Sequence, residues 1–111
     1  MEKNTKTGHF CRVTDELLKL YIEKNDGYAD SFSVSFREWG LSYPGSRIGD
    51  KYNRLKNLIL NPHVDDLGES IEDTLRDIAN YAILTIMELQ NQAEETKHEE
   101  SVDEGERGQV G

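Results

Sequence analysis

The sequence predicts an all-α fold of about four helices, and three observations carry that reading. Apolar residues recur at spacings of three and four through most of the chain, the period of one helix face. Turn signals divide these stretches at Asn25-Asp26-Gly27, Gly40, Asn61-Pro62 and the polar run His63–Gly68. Alternating apolar and polar residues are nearly absent; Phe10–Val13 and Ser33-Val34-Ser35 are too short to make a sheet.

The elements follow in order. Residues 1–12 are polar and irregular, and are expected to be loose. Thr14 is a candidate N-cap, with Asp15 and Glu16 in a first turn where the helix dipole favours acids. Leu17, Leu18, Leu20, Tyr21 and Ile22 then supply a buried stripe. Phe32, Phe36 and Trp39 fit one face of a short second helix that Gly40 stops. Tyr43-Pro44-Gly45-Ser46 reads as a turn, with Ser46 capping a third helix from about Arg47 to Leu60, whose apolar positions are Ile48, Tyr52, Leu55 and Ile59. Asn61 precedes a proline and so avoids the helical region. The last helix is expected to start near Glu69 or Ser70 and to reach about Glu94, on Ile71, Leu75, Ile78, Ala79, Ala82, Ile83, Ile86 and Leu89. The expected organisation is a flexible N-terminus (1–12), one helical domain (13–93) and a disordered acidic tail (94–111).

Charge narrows the function classes. The 111-residue chain carries −9, and the segment from Glu94 to Gly111 contributes −5 of that. Binding duplex nucleic acid needs a basic footprint, and no basic patch of that size is present. One cysteine, Cys11, allows no internal disulfide, and His9, His63 and His98 are too scattered for a zinc motif. The N-terminus lacks an apolar signal core. No stretch approaches the ~20 apolar residues that span a bilayer. The expected partners exclude membranes, and the expected location is the cytoplasm.

Two helix faces stand out. Arg47, Asp50, Arg54 and Asn57 share one side of the third helix, while Glu69, Asp73, Asp77 and Asn80 form a polar stripe on the last. A solvated surface would look the same. However, Tyr81, Ile83, Leu84 and Thr85 make the later half of the last helix apolar over a wide arc. Such a helix is covered on more than one side, and a second copy of a chain this short is the expected cover. If the two stripes face each other, aspartates and arginines meet in a cleft. Carboxylates from two helices suit Mg²⁺, arginine forks suit phosphate, and inter-helix salt bridges fit the same pattern. Tyr28, Asp30 and Ser31 at the preceding turn read either as capping groups or as the mouth of that cleft.

The segments YADSF, RIGDKYNRLKNLIL and ESIEDTLRDIANYAILTIMEL resemble the nucleotide-modification-associated domain 1 family, known from phages and bacteria, over roughly residues 14–90. The most specific parts are Asp50–Leu58 and Glu72–Ala82. That family is distantly similar to MazG-like all-α nucleotide pyrophosphatases. The resemblance implies an oligomeric helical bundle holding a nucleotide or nucleotide-derived ligand between its middle helices. It also implies two carboxylate pairs holding Mg²⁺. Here these pairs fall at Asp50 and Asn53, and at Thr74 and Asp77, with Asp73 adjacent. Asn53 and Thr74 are not acids, which leaves Asp50, Asp73 and Asp77 as the candidate metal-binding and catalytic residues. Arg47, Lys51, Arg54, Asn80, Tyr28 and Asp30 are the candidate ligand contacts. The superfamily likeness favours a Mg²⁺-dependent nucleotide pyrophosphohydrolase; the alternative is a phage-type protein that sequesters a cyclic ADP-ribose-like immune signal without turnover, and the plainest option is an accessory protein that associates with nucleotide-modifying enzymes.

Overall fold

The computed structural model describes the backbone of residues 2–25, 29–63 and 66–110, and the side chains of residues 5–24, 31–63 and 66–97. The described residues form four helices: α1 (Glu2–Asn25), α2 (Ala29–Trp39), α3 (Ser42–Leu60) and α4 (Leu67–Val110). None of them is in a strand. The all-helical class and the number of helices are as expected; several boundaries differ.

α1 begins at Glu2 instead of at a Thr14 cap. The Thr14 hydroxyl bonds back to the carbonyls of Phe10 (3.1 Å) and Cys11 (2.9 Å), the geometry of a helix interior. No proline interrupts the preceding polar residues, so they continue the helix. Every described side chain from Thr5 to Glu16 is exposed, and the bundle engages α1 only through its second half.

α2 ends at Gly40, whose φ of 65° is the left-handed conformation that closes a helix. Its N–H reaches the Phe36 carbonyl at 2.7 Å. The expected turn at Tyr43–Ser46 is instead the first turn of α3. Pro44 is tolerated there because first-turn N–H groups have no partner within the helix. Its ring is buried. The α2–α3 connection therefore shrinks to Gly40-Leu41. α3 stops where expected, at Asn61 before Pro62, with the Asn61 N–H on the Asn57 carbonyl at 2.9 Å.

α3 and α4 form an antiparallel hairpin with the most extensive packing in the molecule. The Lys51–Asp77 ion pair joins positions nearly equidistant from the connection. α4 continues without a break through the boundary expected near Glu94. Most of the expected tail lies outside the residues whose side chains are described.

The core is small and aromatic. Among the described residues, the fully buried large apolar side chains are Phe32, Phe36 and Leu58, joined by Pro44 and Thr74. Phe32 is the hub. Its ring centroid lies 6.5 Å from Phe36, 5.3 Å from Tyr43 and 6.3 Å from Tyr81, so one side chain binds α2 to both α3 and α4. The Ser33 hydroxyl donates a hydrogen bond to the Glu88 carboxylate, again linking α2 to α4.

With so few buried anchors, each one weighs heavily. Phe36→Ala is expected to cost about 3–5 kcal/mol, read as a lower urea midpoint. Val34→Ala, two residues away on the opposite, exposed face, is expected to change stability by less than about 0.5 kcal/mol.

Candidate functional site

All four helices contribute to one cleft of about 310 Å³. That volume is at the lower end of the ~300–1,000 Å³ typical of small-molecule sites.

Helical periodicity explains which residues reach it. On α3, Tyr43, Arg47 and Lys51 are four apart and share one face. On α4, Arg76, Asn80 and Leu84 repeat at four, as do Asp77 and Tyr81. α1 brings Leu17 with Tyr21 and Leu20 with Lys24, and α2 brings Ser31 and Phe32. The cleft floor is therefore continuous with the aromatic core through Phe32.

Cations concentrate at the cleft of this acidic chain. Lys24, Arg47, Lys51 and Arg76 line it and, among the described residues, Asp77 is the carboxylate in the lining. Lys51 Nζ lies 2.9 Å from Asp77 Oδ2, with both groups partly exposed. Arg76 is held by three carboxylates: Asp73 at 3.2 Å, Glu16 at 3.3 Å and Glu72 at 3.4 Å. The Glu16 contact ties α1 to α4 across the rim. These partly exposed pairs orient side chains more than they stabilise the fold. The Arg47 guanidinium sits 5.7 Å from the centre of the Tyr43 ring. Its pKa is raised above the ordinary arginine value, first by a side-chain hydrogen bond with Tyr43, then by Tyr81 and Asp50. Arg47, charged at any working pH as every arginine is, thus lies beside the Tyr43 ring at the cleft.

Of the residues singled out in the sequence, the structure brings Arg47, Lys51, Asp77 and Asn80 to the cleft. Asp50, Arg54 and Asp73 are exposed and outside its lining. Tyr28 lies outside the described residues, as does the side chain of Asp30. The contributions of Tyr21 and Lys24 depend on how α1 docks, which no local pattern encodes. Arg76 did carry a signal: it stands three residues after Asp73 and four before Asn80, within the same stripe.

The residues present do not fit the Mg²⁺ site that the resemblance implied. Among the described residues, no group of three or more His, Cys, Asp or Glu is placed to hold a metal ion. Asp77 is engaged by Lys51 and Asp73 by Arg76, so their oxygens face cations. Thr74 is only 2% exposed, and its hydroxyl donates to the Ser70 carbonyl at 2.8 Å. Position 74 thus belongs to the core, where a carboxylate would be a buried charge.

The family model for nucleotide modification associated domain 1 matches residues 24–89, more than half of the chain. The chain belongs to that family. The matched segment starts at Lys24 and contains every cleft residue from α2, α3 and α4. No curated protein and no solved structure matches the chain significantly.

The buried setting of Thr74 makes a direct prediction. Thr74→Glu, which would place an acid where the MazG-like resemblance implied one, is expected to destabilise the fold by more than about 2 kcal/mol without creating a Mg²⁺ site. Thermal unfolding with and without Mg²⁺ checks both parts. A midpoint raised by Mg²⁺ in the variant would contradict them.

Proposed function

We propose that the cleft captures a nucleotide or nucleotide-derived anion through its own cations and aromatic rings, with no metal ion in the contact. The observation that carries this reading is the convergence of four cations and three tyrosines in one small cleft of a chain whose net charge is −9.

Each part of such a ligand has a matching group. Arginine and lysine donors make charge-assisted hydrogen bonds to phosphate oxygens, about twice as strong as neutral ones. Arg47 and Lys51, one helical turn apart, present two such groups side by side. Tyr21, Tyr43 and Tyr81 offer ring faces for a base, where stacking is worth ~1–3 kcal/mol per base. The amide of Asn80 both donates and accepts, which suits a base edge or a ribose hydroxyl. Asp77 holds Lys51 in position until a phosphate arrives to share the ammonium.

The same geometry favours binding without turnover. Mg²⁺ at a phosphate site is held by one or two carboxylates together with the ligand's phosphates, and among the described residues the carboxylate in the cleft lining, Asp77, is already paired with Lys51. The protein then acts as a sink that holds a nucleotide-type molecule intact, including cyclic ADP-ribose-like signals.

Isothermal titration of the full chain in EDTA, against nucleoside mono-, di- and triphosphates and cyclic ADP-ribose-type molecules, tests this. Saturable binding of at least one is expected, with the ligand recovered unchanged. Arg47→Ala and Lys51→Ala are each expected to weaken it by about tenfold or more, since a hydrogen bond to a charged group is worth ~1.5–3 kcal/mol. Arg54→Ala, outside the lining, should stay within about twofold. Binding that requires Mg²⁺, or released pyrophosphate or monophosphate, overturns the reading.

A further inference from the structure

α1 supplies one wall of the cleft yet has no anchor in the core. Leu17, Leu20, Tyr21 and Lys24 stand at steps of three, one and three, so they share one face of the helix, and all of them line the cleft. None of the described side chains of α1 is buried, and among them only Leu17 and Tyr21 are half-buried. Each of the other helices places a buried side chain in the core: Phe36 from α2, Leu58 from α3 and Thr74 from α4. The surface by which α1 sits on the bundle is therefore the cleft wall itself.

That wall is tied by charge at one end only. Glu16, Leu20 and Lys24 follow one another at intervals of four along α1, about 12 Å from first to last. At the first position, Glu16 meets Arg76 at 3.3 Å. Both groups are partly exposed, and such a pair holds a helix only weakly. At the last position, Lys24 lines the cleft with no ion-pair partner among the described residues. Lys51 is paired with Asp77, and Arg76 with three carboxylates. Among the described residues, Lys24 and Arg47 are thus the cations of the lining that no carboxylate pairs.

We propose that the anion held in the cleft supplies the missing tie, engaging Lys24 on α1 as well as Arg47 on α3, so that α1 seats fully only on an occupied cleft. This rests on the reading that the cleft holds a nucleotide-type anion, and adds that α1 is its ligand-coupled wall. Contacts to α3 and α4 form whether or not α1 is seated, whereas contacts to Tyr21 and Lys24 form only when it is. A ligand that makes the second kind shifts α1 toward the seated state, and by linkage a loosened α1 weakens the ligand. Off the bundle, α1 loses the tertiary packing that supplies most helical stability, and its amides then exchange with solvent. A Lys24 that merely faces water would leave that exchange indifferent to ligand.

Hydrogen exchange of the full chain, read by mass spectrometry in EDTA, tests it with AMP, ADP, ATP and cyclic ADP-ribose as probes. Without a probe, the amides of residues 17–24 are expected to exchange about tenfold faster or more than those of residues 52–58, since segments with few buried contacts open most readily. A probe that binds by titration calorimetry, present at about a hundred times its dissociation constant, is expected to slow residues 17–24 by about tenfold or more, while residues 5–14 stay fast. Lys24→Ala is expected to weaken that probe by about tenfold, the effect of losing a hydrogen bond to a charged group, and to remove the protection. Lys24→Arg should restore both. Lys19→Ala, on α1 but outside the lining, should change neither. Two results overturn the inference and leave the cleft reading standing. One is exchange of residues 17–24 in the free protein as slow as that of residues 52–58. The other is a probe whose binding depends on Arg47 but leaves the α1 amides unprotected and is indifferent to Lys24→Ala. If none of the probes binds, the cleft reading fails and the inference falls with it.

Discussion

The antiparallel packing of α3 on α4 is the constraint on which the rest of the structure depends. It fixes which faces of each helix remain for other work. With Thr74, Leu58 and Pro44 sealed in the core, Tyr43, Arg47 and Lys51 meet Arg76, Asp77, Asn80 and Tyr81 on one side. The opposite side is left with Tyr52, Ile59, Leu75 and Ile86. α2 and the second half of α1 then cap the first side, through Phe32 and through the Glu16–Arg76 contact. A small chain cannot build two cores, so one helix pair supplies both the pocket wall and an apolar back.

Electrostatics sharpen that division. Overall charge would repel an anionic ligand at long range, yet at physiological salt such fields fade within ~8 Å. What a ligand meets at close quarters is the local set of Lys24, Arg47, Lys51 and Arg76 beside half-buried tyrosine rings. The carboxylates near them, Asp73, Asp77, Glu16 and Glu72, are bound to these cations. They are engaged by cations in this structure, an arrangement that differs from metal ligation.

Much of this was legible in the sequence. Helix-period spacing gave α2, the body of α3 and the apolar faces of α4. Asn61-Pro62 marked the end of α3, and Gly40 the end of α2. Of the site, Arg47, Lys51, Asp77 and Asn80 could be read because i and i+4 residues share a face. Other features could not be read, for identifiable reasons. Thr14 looks like a cap, but nothing before it breaks the helix, so it bonds back to Phe10 and Cys11. Pro44 looks like a turn, but a proline is equally at home in a first helical turn. Arg54 and Asp50 share a polar face with Arg47, yet the axis of α3 relative to α4 turns only Arg47 and Lys51 inward. The part played by Tyr21 and Lys24 is tertiary, set by α1 closing over the hairpin.

The central claim is that a nucleotide-type anion is held by side-chain cations and tyrosines alone. Phosphorus NMR of an added nucleotide, in the presence of EDTA, tests it most directly. The account predicts that the phosphate resonances shift or broaden saturably with protein, that Arg47→Ala removes the effect, and that the spectrum of the recovered ligand is unchanged after prolonged incubation. Resonances that respond only once Mg²⁺ is supplied, or that give way to those of cleavage products, would contradict it.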